Sequence, residues 1–101
     1  MIERRRYKLA DQSTPVTDWL HNLRDKRTRA LIEVRLRRVS AGNFGDCKTA
    51  GEDVSELRVD IGPGYRLYHA KHGQALVILL CGGGKASQQN NIIRAKDYWA
   101  D

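Results

Sequence analysis

The sequence predicts an α+β domain: an N-terminal strand, a helical hairpin, then a three-stranded mostly antiparallel sheet and a C-terminal helix. Three observations predict it. Residues 14–41 carry apolar side chains at helical spacing. Residues 56–70 alternate apolar and polar about a Gly62-Pro63-Gly64 turn. Residues 75–80 form an unbroken apolar run that needs cover on both faces. With 101 residues the chain is a single domain, 1–101, with room for one small core.

Taken in order, the first eight residues read as a weakly marked strand. Thr14-Pro15 starts a helix, because threonine can cap and proline suits the first helical position. Val16, Trp19, Leu20 and Leu23 then share one face. Residues 22–25 break this helix, and Asp25 can cap the next, over 26–41. Ile32, Leu36 and Val39 make its stripe, with Leu31 beside it. Arg29, Glu33 and Arg37 form an i, i+4 ladder outside. Gly42-Asn43 ends the helix. So short a join makes the two helices a hairpin.

In Leu57, Val59 and Ile61 the odd positions are apolar, while Glu56, Arg58 and Asp60 face the other way. Residues 65–70 are the next strand. A loop of Gly62-Pro63-Gly64 places Asp60 opposite Arg66 and Arg58 opposite Tyr68, all on one face. His72-Gly73 is a turn, and the run from Ala75 is a central strand. Residues 87–99 form the last helix, with Ile92, Ala95 and Trp99 inward.

Lys and Arg number 18 against 12 Asp and Glu, for a net charge of +6. The surplus lies in residues 1–50, with 12 Lys and Arg against 6 acids, while residues 51–101 hold 6 of each. A basic flank attracts polyanions, although a solvated helix surface gives the same composition. The N-terminal residues are not a signal peptide, and the longest apolar run is too short to cross a bilayer. A cytoplasmic protein without a membrane partner is expected. Cys47 and Cys81 lack metal-ligand spacing, and a reducing compartment disfavours a disulfide. No metal and no cofactor is expected.

Residues 56–85 hold the candidate chemistry. Arg58, Arg66 and Lys85 can converge on one spot with no acidic cluster beside them, which suits a phosphate. Cleaving RNA through its own 2′-hydroxyl needs a base, cations for the charge growing on phosphorus, and an acid for the leaving oxygen. Arg66 is the best phosphate clamp, since its guanidinium forks onto two oxygens. It can equally pair with Asp60, and such a pair would orient it. Arg58 is the second cation, with surface pairing to Glu56 or Asp60 as the alternative. Lys85 follows Gly82-Gly83-Gly84, where backbone can approach a ligand, but the run lacks P-loop spacing. His69 is the candidate acid or base, against the commoner role of a half-buried strand residue. His21 and His72 are read as inert. Tyr68, Arg35 and Arg38 are the candidate RNA contacts, with Tyr65 or Tyr68 stacking on bases and the other packing the core.

Trp19-Leu20, Arg24-Asp25, Gly42-Asn43-Phe44-Gly45-Asp46, Glu56-Leu57-Arg58, Gly62-Pro63-Gly64-Tyr65-Arg66 and Gly82-Gly83 through Gln88 together resemble the RelE/ParE toxin superfamily. The nearest branch is the HigB-like "addiction module killer protein" group, and the likeness covers nearly the whole chain. The resemblance implies a microbial-ribonuclease-like fold and a toxin of a type II toxin–antitoxin system. It implies a metal-independent endoribonuclease cutting mRNA on the ribosome, with a cognate helix-turn-helix antitoxin as partner. By the same resemblance Arg66 occupies the Tyr-Arg position that supports catalysis, Arg58 a basic position on the preceding strand, and Lys85 a Gly-Lys segment after the last strand. Residues 86–97 contain neither tyrosine nor histidine, so the general acid or base stays open. The ParE branch implies a different activity, non-enzymatic inhibition of DNA gyrase. A degenerate binding module is a third reading.

Overall fold

The structure is a computed structural model and describes residues 2–101. Its elements are β1 (Glu3–Arg6), α1 (Pro15–Asn22), α2 (Lys26–Ser40), β2 (Cys47–Gly51), β3 (Val54–Val59), β4 (Tyr65–His72), β5 (Leu76–Gly84) and α3 (Gln88–Ala100). A single 3-10 turn, Lys85–Ser87, leads into α3. The strands form one mixed sheet in the order β1-β5-β4-β3-β2. β1 runs parallel to β5, and the other neighbours are antiparallel.

The α+β class and the element order follow the sequence reading, with one strand more. β2 was not foreseen, because Cys47-Lys48-Thr49-Ala50-Gly51 is an outer strand exposed along most of its length. Such a strand has no buried face to impose alternation. β1 is shorter than eight residues, and β5 is an interior strand rather than the middle one.

Helix boundaries have local causes. The Asp25 carboxylate accepts from the Arg27 amide at 3.0 Å and from the Thr28 hydroxyl at 2.9 Å, capping α2. Those two bonds hold the Asp25 carboxyl below its usual pKa, the Thr28 hydroxyl contributing most. Thr14 takes the extended N-cap conformation before Pro15, but its side chain makes no capping bond. Proline at the first helical position presets that turn instead.

The sheet buries both faces. On one side Leu57, Val59, Leu67, Val77 and Leu79 pack against Val16 and Leu20 of α1 and Ile32, Leu36 and Val39 of α2. On the other, Val54, Tyr68, Ala70, Leu80 and Cys81 pack against Ala95 of α3. A bulge in β5 lets this happen: Tyr68 pairs with Cys81 and His69 with Leu79, so Leu80 is extra and shares its face with Cys81.

The glycines after the bulge admit helices at close range. A methyl group on Gly82 would stand inside the Trp19 ring of α1, and one on Gly83 inside the Asn91 amide of α3. Asn91 is buried and bound to the Ser87 hydroxyl at 2.8 Å, so it cannot simply swing away. Gly83→Ala is therefore expected to lower the unfolding free energy by about 2 kcal/mol, the scale of overpacking a filled core. Urea denaturation monitored by circular dichroism checks this, and an unchanged midpoint would remove the packing argument.

Candidate functional site

The β3–β4 hairpin turns through residues 60–64. Ile61 N–H donates to the Val59 carbonyl at 3.1 Å and Gly64 N–H to the Ile61 carbonyl at 3.0 Å. Gly62 and Gly64 take φ of 57° and 90°, a region costly for other residues. The loop is longer than Gly62-Pro63-Gly64 alone, so the register differs from expectation. Arg58 pairs with Arg66, Glu56 with Tyr68 and Val59 with Tyr65. Asp60 thus lies in the loop and does not face Arg66 across the ladder. The offset is two residues, which preserves side-chain direction, so Arg58 and Arg66 still share one face.

Two arginines directly opposite each other repel. The structure offsets that with a carboxylate. Glu56, only 3% exposed, sits two residues before Arg58 on the same face. Arg58 Nε donates to Glu56 Oε1 at 3.1 Å, and Arg66 Nε lies 3.8 Å from the same oxygen. Gln88, the first residue of α3, donates its side-chain amide to both Glu56 oxygens, at 3.0 and 3.3 Å. Arg66 also donates to the Tyr65 carbonyl at 3.2 Å. Its Nε is buried without a hydrogen-bond acceptor, since 3.8 Å is an ion-pair distance and not a bond. The acid-free cation site expected from the sequence is corrected here: a buried glutamate stands between the cations. Glu56 and Gln88 are the residues that sequence reasoning missed as site members. Parity offered a signal for Glu56, because positions two apart on a strand share a face.

The remaining candidates separate. Lys85 stands at the same end of the sheet, its amide donating to the Gly64 carbonyl at 3.3 Å, with its side chain exposed. Its ammonium makes no hydrogen bond or ion pair with Glu56. Tyr68 is fully buried opposite Glu56, so it cannot stack on a base. Burial first, then the neighbouring Glu56 charge, pushes its phenol well above the usual range. Arg35 is a structural clamp and not a free RNA contact. Its guanidinium donates to the Arg58, Phe44 and Asp46 carbonyls at 2.6, 3.1 and 3.4 Å, tying α2 to β3. Arg38 remains exposed on α2, beside Leu31, Val34 and Ile61.

His69 points to the opposite face. It stacks on Phe44 with centroids 5.5 Å apart, its Nε2 lies 4.0 Å from Cys47 Sγ, and Lys71 Nζ sits over Phe44. Strand alternation puts it on the helical-hairpin side, away from Arg58 and Arg66, so it is no acid or base for that cluster. Burial, with help from the Lys71 charge, holds its pKa down to about 4 from 6.5. The native state therefore keeps His69 neutral where the unfolded chain would protonate it. Stability is undiminished above pH 6.5 and falls as pH drops from 6.5 toward 4, by about 3 kcal/mol in total. His69→Gln should flatten that slope relative to wild type in urea titrations at pH 7, 6 and 5. Identical slopes would sink the assignment.

Among the described residues no group of three His, Cys, Asp or Glu is placed to hold a metal ion, and no helix is long and apolar enough to cross a membrane. Cys47 is exposed and Cys81 buried, both as free thiols. Burial raises the Cys81 thiol to about 11, which keeps it protonated and unreactive in the core.

The chain is 46% identical over 78 residues to an uncharacterized protein of Haemophilus influenzae, the alignment covering 77% of this chain and 79% of the other. No protein-family model and no solved structure matches it.

Proposed function

We propose that this chain, which belongs to one family with that Haemophilus influenzae protein, is the toxin of a type II toxin–antitoxin pair. It acts as a metal-independent endoribonuclease on ribosome-bound mRNA in the cytoplasm. The sequence resemblance to the RelE/ParE superfamily supplies the biological setting, including a helix-turn-helix antitoxin. The observation that carries the chemistry is the Arg58–Arg66 pair, opposed across β3 and β4 and held by one buried carboxylate.

The proposed reaction starts when the 2′-hydroxyl gives up its proton to a solvent water and its oxygen attacks phosphorus, forming a 2′,3′-cyclic phosphate. The bond to the 5′-oxygen breaks, and that oxygen takes up a proton. Extra negative charge builds on the non-bridging oxygens, where guanidinium donors act best. Arg58, partly exposed, meets the phosphate first. Arg66 lies behind it with a free Nε. Glu56 holds both forks side by side, so little reorganisation is needed. Gln88 keeps Glu56 in place from the start of α3, and exposed Lys85 adds charge at the mouth. The basic α2 surface, with Arg38, tracks the backbone.

Purified protein added to translating ribosomes is expected to cut the mRNA, with ends mapped by primer extension. Growth arrest without any cut would overturn the nuclease reading. A second reading, inhibition of DNA gyrase in the manner of ParE proteins, is favoured by one observation. His69 faces away from the arginines and Tyr68 is sealed, so neither can move a proton for them. Loss of gyrase supercoiling with intact mRNA would select it.

A further inference from the structure

A cavity of about 290 Å³, lined by none of Glu56, Arg58, Arg66 and Gln88, opens between α1 and α3. It exists because β1 is short. β1 ends at Arg6, paired with Leu79, while β5 continues to Gly84 without that outer neighbour. Asp18, Trp19 and Asn22 line it from α1, Arg94 and Tyr98 from α3, and Gly82 from β5. Gly82 lets the Trp19 ring settle on the strand, where a side chain would collide with it. The indole is only partly buried there.

The charged groups on the two walls do not meet. Asp18 and Arg94 line one cavity, yet they form no salt bridge with each other or with any other described residue. Arg94 instead rests on neutral partners at long range, Asn91 Oδ1 at 3.3 Å and the Tyr98 hydroxyl at 3.4 Å. A carboxylate on one wall and a guanidinium on the other, unpaired with each other, fit a ligand with donors on one edge and acceptors on another. Guanine has that pattern. Its N1–H and exocyclic amino group donate, and its N7 and O6 accept from an arginine fork. Adenine and cytosine do not pair a two-donor edge with a two-acceptor edge. A half-buried indole adds a stacking surface suited to a base.

We propose that this cavity binds a guanine base, with Asp18 reading its donor edge, Arg94 its acceptor edge and Trp19 stacking on its ring. The site is independent of phosphate binding at Arg58 and Arg66, so the free nucleoside tests it without involving the cleavage reading. Trp99→Phe leaves Trp19 as the one tryptophan. Titrating that protein with guanosine is expected to quench Trp19 fluorescence saturably. Adenosine and cytidine should bind about tenfold more weakly. Asp18→Asn should abolish that preference, and Arg94→Gln should weaken guanosine binding. As a check that needs no substitution, guanosine should shift the Trp19 indole N–H and Gly82 amide resonances of the wild-type protein. No saturable change in either measurement overturns the proposal. So does equal affinity for all three nucleosides, or a preference that Asp18→Asn leaves intact.

Discussion

Glu56→Ala is expected to lower the unfolding free energy by about 3 kcal/mol, the scale on which removing one partner of a buried ion pair destabilises a protein. The reason is the register. Arg58 and Arg66 are cross-strand partners, and Glu56 supplies the negative charge between them. Removing it leaves an 8%-exposed arginine facing a second cation, and takes from Gln88 its acceptor at the start of α3. The figure sits at the low end of the usual range because the Arg58 side chain is 29% exposed and water relieves part of the repulsion. Urea denaturation gives the number. The double variant Glu56→Leu with Arg66→Met should recover much of the loss, since an apolar pair of similar volume needs no desolvation. A single variant within about 0.5 kcal/mol of wild type, the noise of an ordinary surface change, would show that Glu56 does not hold the arginines.

Arg66→Ala is expected to slow mRNA cleavage by about 100- to 1000-fold, the cost of removing one positioned donor aimed at developing charge. Arg66→Lys should recover only a small part, because a lysine keeps the charge but loses the planar fork. Stability should change less than in Glu56→Ala, since Glu56 keeps Arg58 and Gln88 as donors. Cleavage rates on programmed ribosomes measure the effect, with a change at exposed Asp97, Asp97→Ala, as a surface comparison. If Arg66→Ala retains the wild-type rate, Arg66 is not the clamp and the cluster is purely structural.

What was legible in the sequence depended on whether burial left a pattern. The stripe of Ile32, Leu36 and Val39 marked α2, and Asp25 marked its start. The unbroken apolar run from Ala75 marked an interior strand covered on both faces. β2 left no such trace, since an exposed outer strand can be built from almost anything. The hairpin register was missed by two residues because Asp60 and Ile61 join the loop, a matter of backbone hydrogen bonds that composition does not encode.

The candidate site divided along the same line. Parity grouped Arg58 with Arg66; the same rule puts His69, three positions on from Arg66, on the other face, and the reading of His69 as an acid or base for the cluster passed over it. The demotion of Arg35 needed three dimensions, because its acceptors are carbonyls of residues 44, 46 and 58. Gln88 is 32 residues from Glu56 in the chain, and only the position of α3 brings them together.

The parallel pairing of β1 with β5 sets a schedule for the nascent chain. Residues 3–6 are made first, and their partners at 76–79 follow roughly seventy residues later. At about 5–20 residues per second that is a wait of about 4–15 s. Glu56 likewise meets its amide donor only when Gln88 has been made. A fragment stalled ahead of residue 76 therefore lacks the strand that β1 pairs with and the Gln88 amide that holds Glu56 between the arginines.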